Sequence, residues 1–219
     1  MIETVTTVLD WFGLCVFAVT GALVASRKEM DIVGFALLGS VTAVGGGTLR
    51  DTFLGIRPVF WVQQPAYLVT CIVVSCLVFF IAHVPQSRYR SLVWLDAVGL
   101  SLFAVTGAER TLDWGAGPTI AVAMGVATAS FGGILRDMLG GERPILLSQE
   151  IYVTAALLGA GLFVTLRELG VGHDPALVLG FAAAFALRGA AIHWRLSLRR
   201  YRPRPGRTPE EAGRAMRRL

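Results

Sequence analysis

The stretch LDWFGLCVFAVTGA from Leu9 to Ala22 returns as LDAVGLSLFAVTGA from Leu95 to Ala108, a constant 86 residues later. The same offset pairs Gly46 with Gly132, Gly47 with Gly133, Arg50 with Arg136, Asp51 with Asp137, Gly55 with Gly141 and Arg57-Pro58 with Arg143-Pro144. Apolar residues align by chance in any oily chain, but a shared Asp, Thr-Gly, Gly-Gly, Arg-Asp and Arg-Pro at one spacing do not. The chain therefore carries one unit twice, and its fold must accommodate both copies.

What each unit contains follows from hydropathy. Apolar stretches cover Val8 to Ala25, Ile32 to Leu54, Pro65 to His83, Leu92 to Ala108, Gly117 to Leu139, Ile151 to Leu166 and Pro175 to Trp194. Each approaches the roughly 20 residues that a helix needs to cross a hydrocarbon core. With 54% hydrophobic and only 16% charged residues, lipid is the expected solvent for most of the chain. The expectation is an all-α polytopic membrane protein with seven transmembrane helices. Glu3 and Asp10 stand where a cleavable signal would be basic, so none is expected.

Three spans per unit is an odd number, so the second copy enters the membrane from the opposite side. The predicted organisation is a three-helix repeat over residues 1–86, an inverted three-helix repeat over 87–172, a seventh helix over 173–196 and a basic tail over 197–219. From Arg195 onward nine arginines face two glutamates, so the net +5 of the chain belongs to its tail. Directly after a span, such a tail marks the cytoplasmic side and a contact with anionic lipid rather than with nucleic acid. The N-terminus is then outside. Arg27, Lys28, Arg88, Arg90 and Arg143 fall in inside loops, and Arg57, Arg110 and Arg167 in outside ones. Thr208-Pro209-Glu210-Glu211 has the form of a capping box, which predicts a short helix in the tail.

The candidate site lies on the second and fifth spans. Gly45, Gly46 and Gly47 in one, and Gly132 and Gly133 in the other, each weaken a helix by roughly 1 kcal/mol relative to alanine and predict a bend. The competing reading of these glycines is close helix packing. Arg50-Asp51 and Arg136-Asp137 follow four residues on, where exposure to lipid would cost roughly 2.5–3.5 kcal/mol per charge. Neighbours on a helix point about 100° apart, so each is expected to find a different partner. Glycine bends at a waist, flanked by two charged vestibules, account for the motif. Thr48 and Ser130 are the nearby polar candidates for lining a path.

Asp10 and Asp96 are expected to cap the first and fourth helices. Thr20-Gly21 and Thr106-Gly107 serve packing at least as readily as a pore. Cys15, Cys71 and Cys76 form no paired motif and are expected to be small core side chains, and His83, His173 and His193 lie at span ends. Nothing in the pattern supplies a nucleophile with its base, a metal set or a cofactor motif, so neither enzyme activity nor a cofactor is expected.

The repeat and its GGGTLRD and GGILRD motifs resemble the prokaryotic TRIC family, the trimeric intracellular cation channels. The resemblance spans both repeats and the seventh helix and excludes most of the tail. It implies a homotrimer in the inner membrane, each protomer with its own pore beside kinked second and fifth helices, conducting monovalent cations and chiefly potassium. The glycines and the Arg-Asp pairs named above would border that pore. Animal members carry Lys-Glu-Val around the second-helix bend, and GGGTLRD in its place gives no basis for animal-type phosphoinositide regulation. The alternative is a secondary carrier for glycine or another small solute, since inverted repeats with broken helices are common among carriers and the same domain type is associated with proposed glycine transporters.

Overall fold

The structure is a computed structural model that describes residues 2–83, 87–145 and 151–197. The tail helix expected near Thr208 lies outside the described residues. Among those described, every regular element of three residues or more is a helix: α1 (Ile2–Arg27), α2 (Ile32–Leu54), α3 (Phe60–Gln63), α4 (Ala66–Ile81), α5 (Arg88–Asp113), α6 (Pro118–Leu139), α7 (Val153–Glu168) and α8 (His173–Trp194).

Local chemistry sets the ends. Asp31 caps α2, its carboxylate accepting from the Gly34 amide at 2.8 Å, and Ser87 caps α5 through the Arg90 amide at 3.2 Å. Pro118 occupies the first turn of α6, where its missing N–H costs nothing. Gly55 and Gly141, matched by the repeat, both take left-handed backbone (φ 71° and 62°) just past α2 and α6.

Among the described residues five helices are long and apolar enough to span a membrane: Thr6–Arg27, Ile32–Leu54, Arg88–Asp113, Pro118–Leu139 and His173–Trp194. The spans expected over Pro65–His83 and Ile151–Leu166 are helices of 16 residues each, α4 and α7, about 24 Å long at 1.5 Å per residue. The four-residue α3 between α2 and α4 was not expected.

Helices α1 and α5 form the centre. Two-thirds or more of their apolar windows are buried (67% and 72%), against 33% for α8. They run antiparallel: Thr6 at the start of α1 donates to Glu109 at the end of α5 (2.9 Å), and Arg27 at the end of α1 covers the Tyr89 ring at the start of α5. Helices α2 and α4 pack on α1, while α6, α7 and α8 pack on α5. Small residues permit the contacts: a Cβ on Gly21 would lie 2.6 Å from the Leu38 carbonyl oxygen of α2. Thr20 donates to the Phe17 carbonyl of its own helix, so this Thr-Gly pair serves packing. Val69, Val73, Leu77 and Phe80 form an exposed apolar stripe on α4, as a lipid-facing surface requires.

Candidate permeation site

The glycine clusters do not break their helices. Helical structure continues through Gly45–Gly47 in α2 and through Gly132 and Gly133 in α6. A loss of roughly 1 kcal/mol per glycine is smaller than the several kcal/mol that an unsatisfied backbone group costs out of water, so the ladder holds. The glycines instead let α2 and α6 cross. A Cβ on Gly46 would lie 2.0 Å from the Thr128 carbonyl oxygen, and one on Gly132 would lie 2.3 Å from that of Thr42. Both members of this exchange are repeat counterparts, so the crossing is symmetric. Gly45 faces Leu135 and Gly132 of α6, and Gly47 faces the Phe60 ring.

The charged pairs also depart from expectation. Arg50 folds onto its own neighbour, with Nε and Nη2 donating to Asp51 Oδ1 at 2.9 and 2.7 Å. Arg136 Nε donates to Asp137 Oδ1 at 2.8 Å. The arginine stem is long enough to curl across the 100° between adjacent positions. Each aspartate spends its second oxygen on the chain beyond the helix: Asp51 Oδ2 accepts from the Phe60 amide and Asp137 Oδ2 from the Ile145 amide, both at 2.8 Å.

Asp10 and Asp96 are not caps. Helices α1 and α5 begin at Ile2 and Arg88, which leaves both carboxylates in the helix interior. Asp96 is fully buried and accepts from Arg136 Nη1 at 2.7 Å, so Arg136 holds two carboxylates. Asp10 bonds to Arg110 instead, a residue expected in an outside loop but found in the last turn of α5. The counterpart of Arg110 in the repeat is Val24. One unmatched charge thus gives the two halves different pairings.

That difference shows in the cavities. On the face where α1 begins and α2 and α5 end, a vestibule of about 570 Å³ is bordered by Arg50, Asp51, Gln63, Glu109, Arg110 and Asp113. Below it, sharing Arg50, Phe60 and Arg110, a pocket of about 30 Å³ reaches Gly47, Phe103 and Thr128 at the helix crossing. It has room for about one or two waters. In the other half the matching positions Asp96, Leu100, Ala129 and Arg136 are completely buried. A Cβ on Gly133 would lie 3.0 Å from the Tyr152 hydroxyl, and the Arg188 guanidinium stands 5.2 Å over the Tyr152 ring.

Thr48 and Ser130 border neither cavity. Thr48 donates to the Val44 carbonyl at 2.7 Å and accepts from the Trp61 indole at 3.0 Å, while Ser130 donates to Val126 at 2.8 Å. At the vestibule rim, His173 at the start of α8 bonds to Glu109 and to Asp174. Among the described residues no group of three His, Cys, Asp or Glu could hold a metal, and the three cysteines are free thiols. Sequence reasoning missed Arg110, Tyr152 and Arg188. The first had a signal, since aligning the repeats exposes an arginine opposite a valine.

A family model described as "Glycine transporter" matches twice, over residues 7–83 and 93–168. The UPF0126 inner membrane protein YadS of Escherichia coli K12 is 43% identical over 192 residues, covering 87% of this chain and 93% of that one. The solved TRIC trimeric intracellular cation channel orthologue of Rhodobacter sphaeroides is 68% identical with a TM-score of 0.87, covering 88% of this chain and all of that one. A prokaryotic TRIC channel solved in 0.5 M KCl is 32% identical with a TM-score of 0.82, covering 90% and 100% of the two chains.

Proposed function

The chain belongs to the TRIC family of cation channels, and on that premise we propose that it conducts monovalent cations, chiefly potassium, through a path inside each protomer of a homotrimer. The observation that carries the reading is a vestibule with a smaller pocket behind it, the two sharing Arg50, Phe60 and Arg110 and the second reaching the crossing of α2 and α6. The path then runs beside Gly45, Gly46 and Gly47 on one helix and Gly132 and Gly133 on the other, with Arg50–Asp51 in the outer vestibule and Arg136–Asp137 below. Thr48 and Ser130 would join its lining only after giving up their present bonds.

The architecture in this reading is two inverted three-helix repeats, 1–86 and 87–172, a seventh helix over 173–196 and a basic tail over 197–219. The antiparallel α1 and α5 and the reciprocal Gly46–Thr128 and Gly132–Thr42 contacts support it. The arginine-rich tail supports an N-terminus outside, a C-terminus in the cytoplasm and contact with anionic lipids.

Potassium flux from proteoliposomes of purified protein tests the function. Uncoupled flux that grows with the gradient is expected, and lipid-only rates would overturn it. One observation favours the secondary carrier of glycine or another small solute: Arg50 borders the vestibule while its counterpart Arg136 is fully buried, an asymmetry between the repeats of the kind that carriers use. Saturable counterflow of labelled glycine would establish that reading instead.

A further inference from the structure

The floor of the inner pocket is aromatic. Phe103 of α5 lines it, and behind Phe103 stands its repeat counterpart Phe17 of α1, the ring centroids 5.1 Å apart and the planes at 64°. Each ring lies over a glycine of the opposite helix, and those glycines, Gly13 and Gly99, are also counterparts. The pair therefore sits on the axis that relates the two repeats, at the depth where α2 and α6 cross. Phe17 touches that crossing directly, since a Cβ on Gly132 would lie 3.3 Å from its ring.

The two rings are not held equally. A Cβ on Gly99 would fall 2.1 Å from Phe17, which is 1% exposed, whereas one on Gly13 would stop 3.2 Å from Phe103. Phe17 is thus wedged into its seat. Phe103 is half-buried and borders about 30 Å³ of space. A ring with free volume on one side is held less firmly than one packed on every side.

We propose that the Phe17–Phe103 pair is the barrier across the permeation path, with Phe103 the ring that swings and Phe17 the fixed stop. This rests on the cation-channel reading. Two apolar rings in contact offer nothing to replace a cation's hydration, and an apolar constriction opposes ion passage by excluding water. Moving the Phe103 ring off Phe17 and clear of the pocket would join the outer vestibule to the region around Ala129, the counterpart of the pocket-lining Ala43.

The test uses the full chain in proteoliposomes. Phe103→Ala raises potassium flux about tenfold and Phe103→Trp, whose larger ring fills the pocket, lowers it below wild type. Opposite changes in two folded, correctly assembled variants are not what loss of packing produces. A change in the same direction for both, or none in either, overturns the proposal. A second measurement does not require conduction. In a chain with Cys15, Cys71 and Cys76 replaced by alanine, Ala129→Cys resists an impermeant thiol reagent applied from the vestibule side, and becomes reactive when Phe103→Ala is added. Reactivity that ignores Phe103 overturns the barrier even where flux is normal. Reactivity that follows Phe103 in a protein without flux retains the barrier and sinks the channel reading.

Discussion

Arg50 and Arg136 are equivalent in sequence and unequal in structure, so replacing each with glutamine should cost different amounts. The Arg136 side chain is 0% exposed and holds both Asp96 at 2.7 Å and Asp137 at 2.8 Å. Arg136→Gln leaves two buried carboxylates without their cation, and breaking one buried ion pair costs about 3–5 kcal/mol. The Arg50 side chain is 6% exposed, borders the vestibule and holds one carboxylate. Water can take over part of its role, so Arg50→Gln costs about 1.5–3 kcal/mol, the range for hydrogen bonds to charged groups. The expected gap is therefore about 2 kcal/mol, enough to change the folded-to-unfolded ratio roughly 30-fold. Unfolding of the purified variants in one detergent, by heat and by denaturant, reads the difference. Adding Asp96→Asn to Arg136→Gln should recover part of the loss, because the neutral pair no longer strands that charge. Equal destabilisation by the two arginine variants, or a double variant worse than the sum of the singles, would refute the buried-pair reasoning.

Gly46→Ala and Gly132→Ala should each cost about 1–3 kcal/mol, because the added methyl would meet a backbone carbonyl at 2.0 or 2.3 Å and α2 and α6 must separate; thermal unfolding unchanged in both would remove the close crossing from the account. Arg50→Gln should alter potassium current more than Arg27→Gln, since Arg27 pairs with Glu142 on the opposite face, away from the vestibule, and planar-bilayer recording decides between them. Single cysteines placed near the two termini should react with an impermeant reagent from opposite sides of sealed cells, and reaction from one side would reject the proposed topology.

Much of the helical layout was legible because its punctuation is local. The apolar run Ile32 to Leu54 coincides with α2, bounded by the Asp31 cap and by Gly55, and α6 begins at Pro118, one residue from the expected start. The competing packing reading of the glycines was also legible, since Gly46 and Gly132 each approach the carbonyl of a threonine on the other helix. What eluded the sequence were competitions between distant groups. Whether Asp10 caps a helix or binds a cation depends on Arg110, 100 positions away, and on where α1 begins. The uninterrupted helices at the glycine clusters reflect an energy that propensity scales measured in water do not contain. The burial of Arg136 and the approach of the Tyr152 hydroxyl to Gly133 are likewise marked by no motif.

The aspartate that ends each motif divides its two oxygens between a guanidinium and the amide of a residue beyond the helix. An asparagine of the same shape cannot perform both tasks, because its NH₂ would confront either an arginine N–H or a backbone N–H, donor against donor. The carboxylate is therefore a rivet joining the helix to the chain that follows it. Asp51 thereby ties Arg50 to the Phe60 amide, and Phe60 is itself a wall of the pocket. A substitution in the connecting chain outside the long helices would therefore reach the pocket wall through this carboxylate without changing any residue of α2.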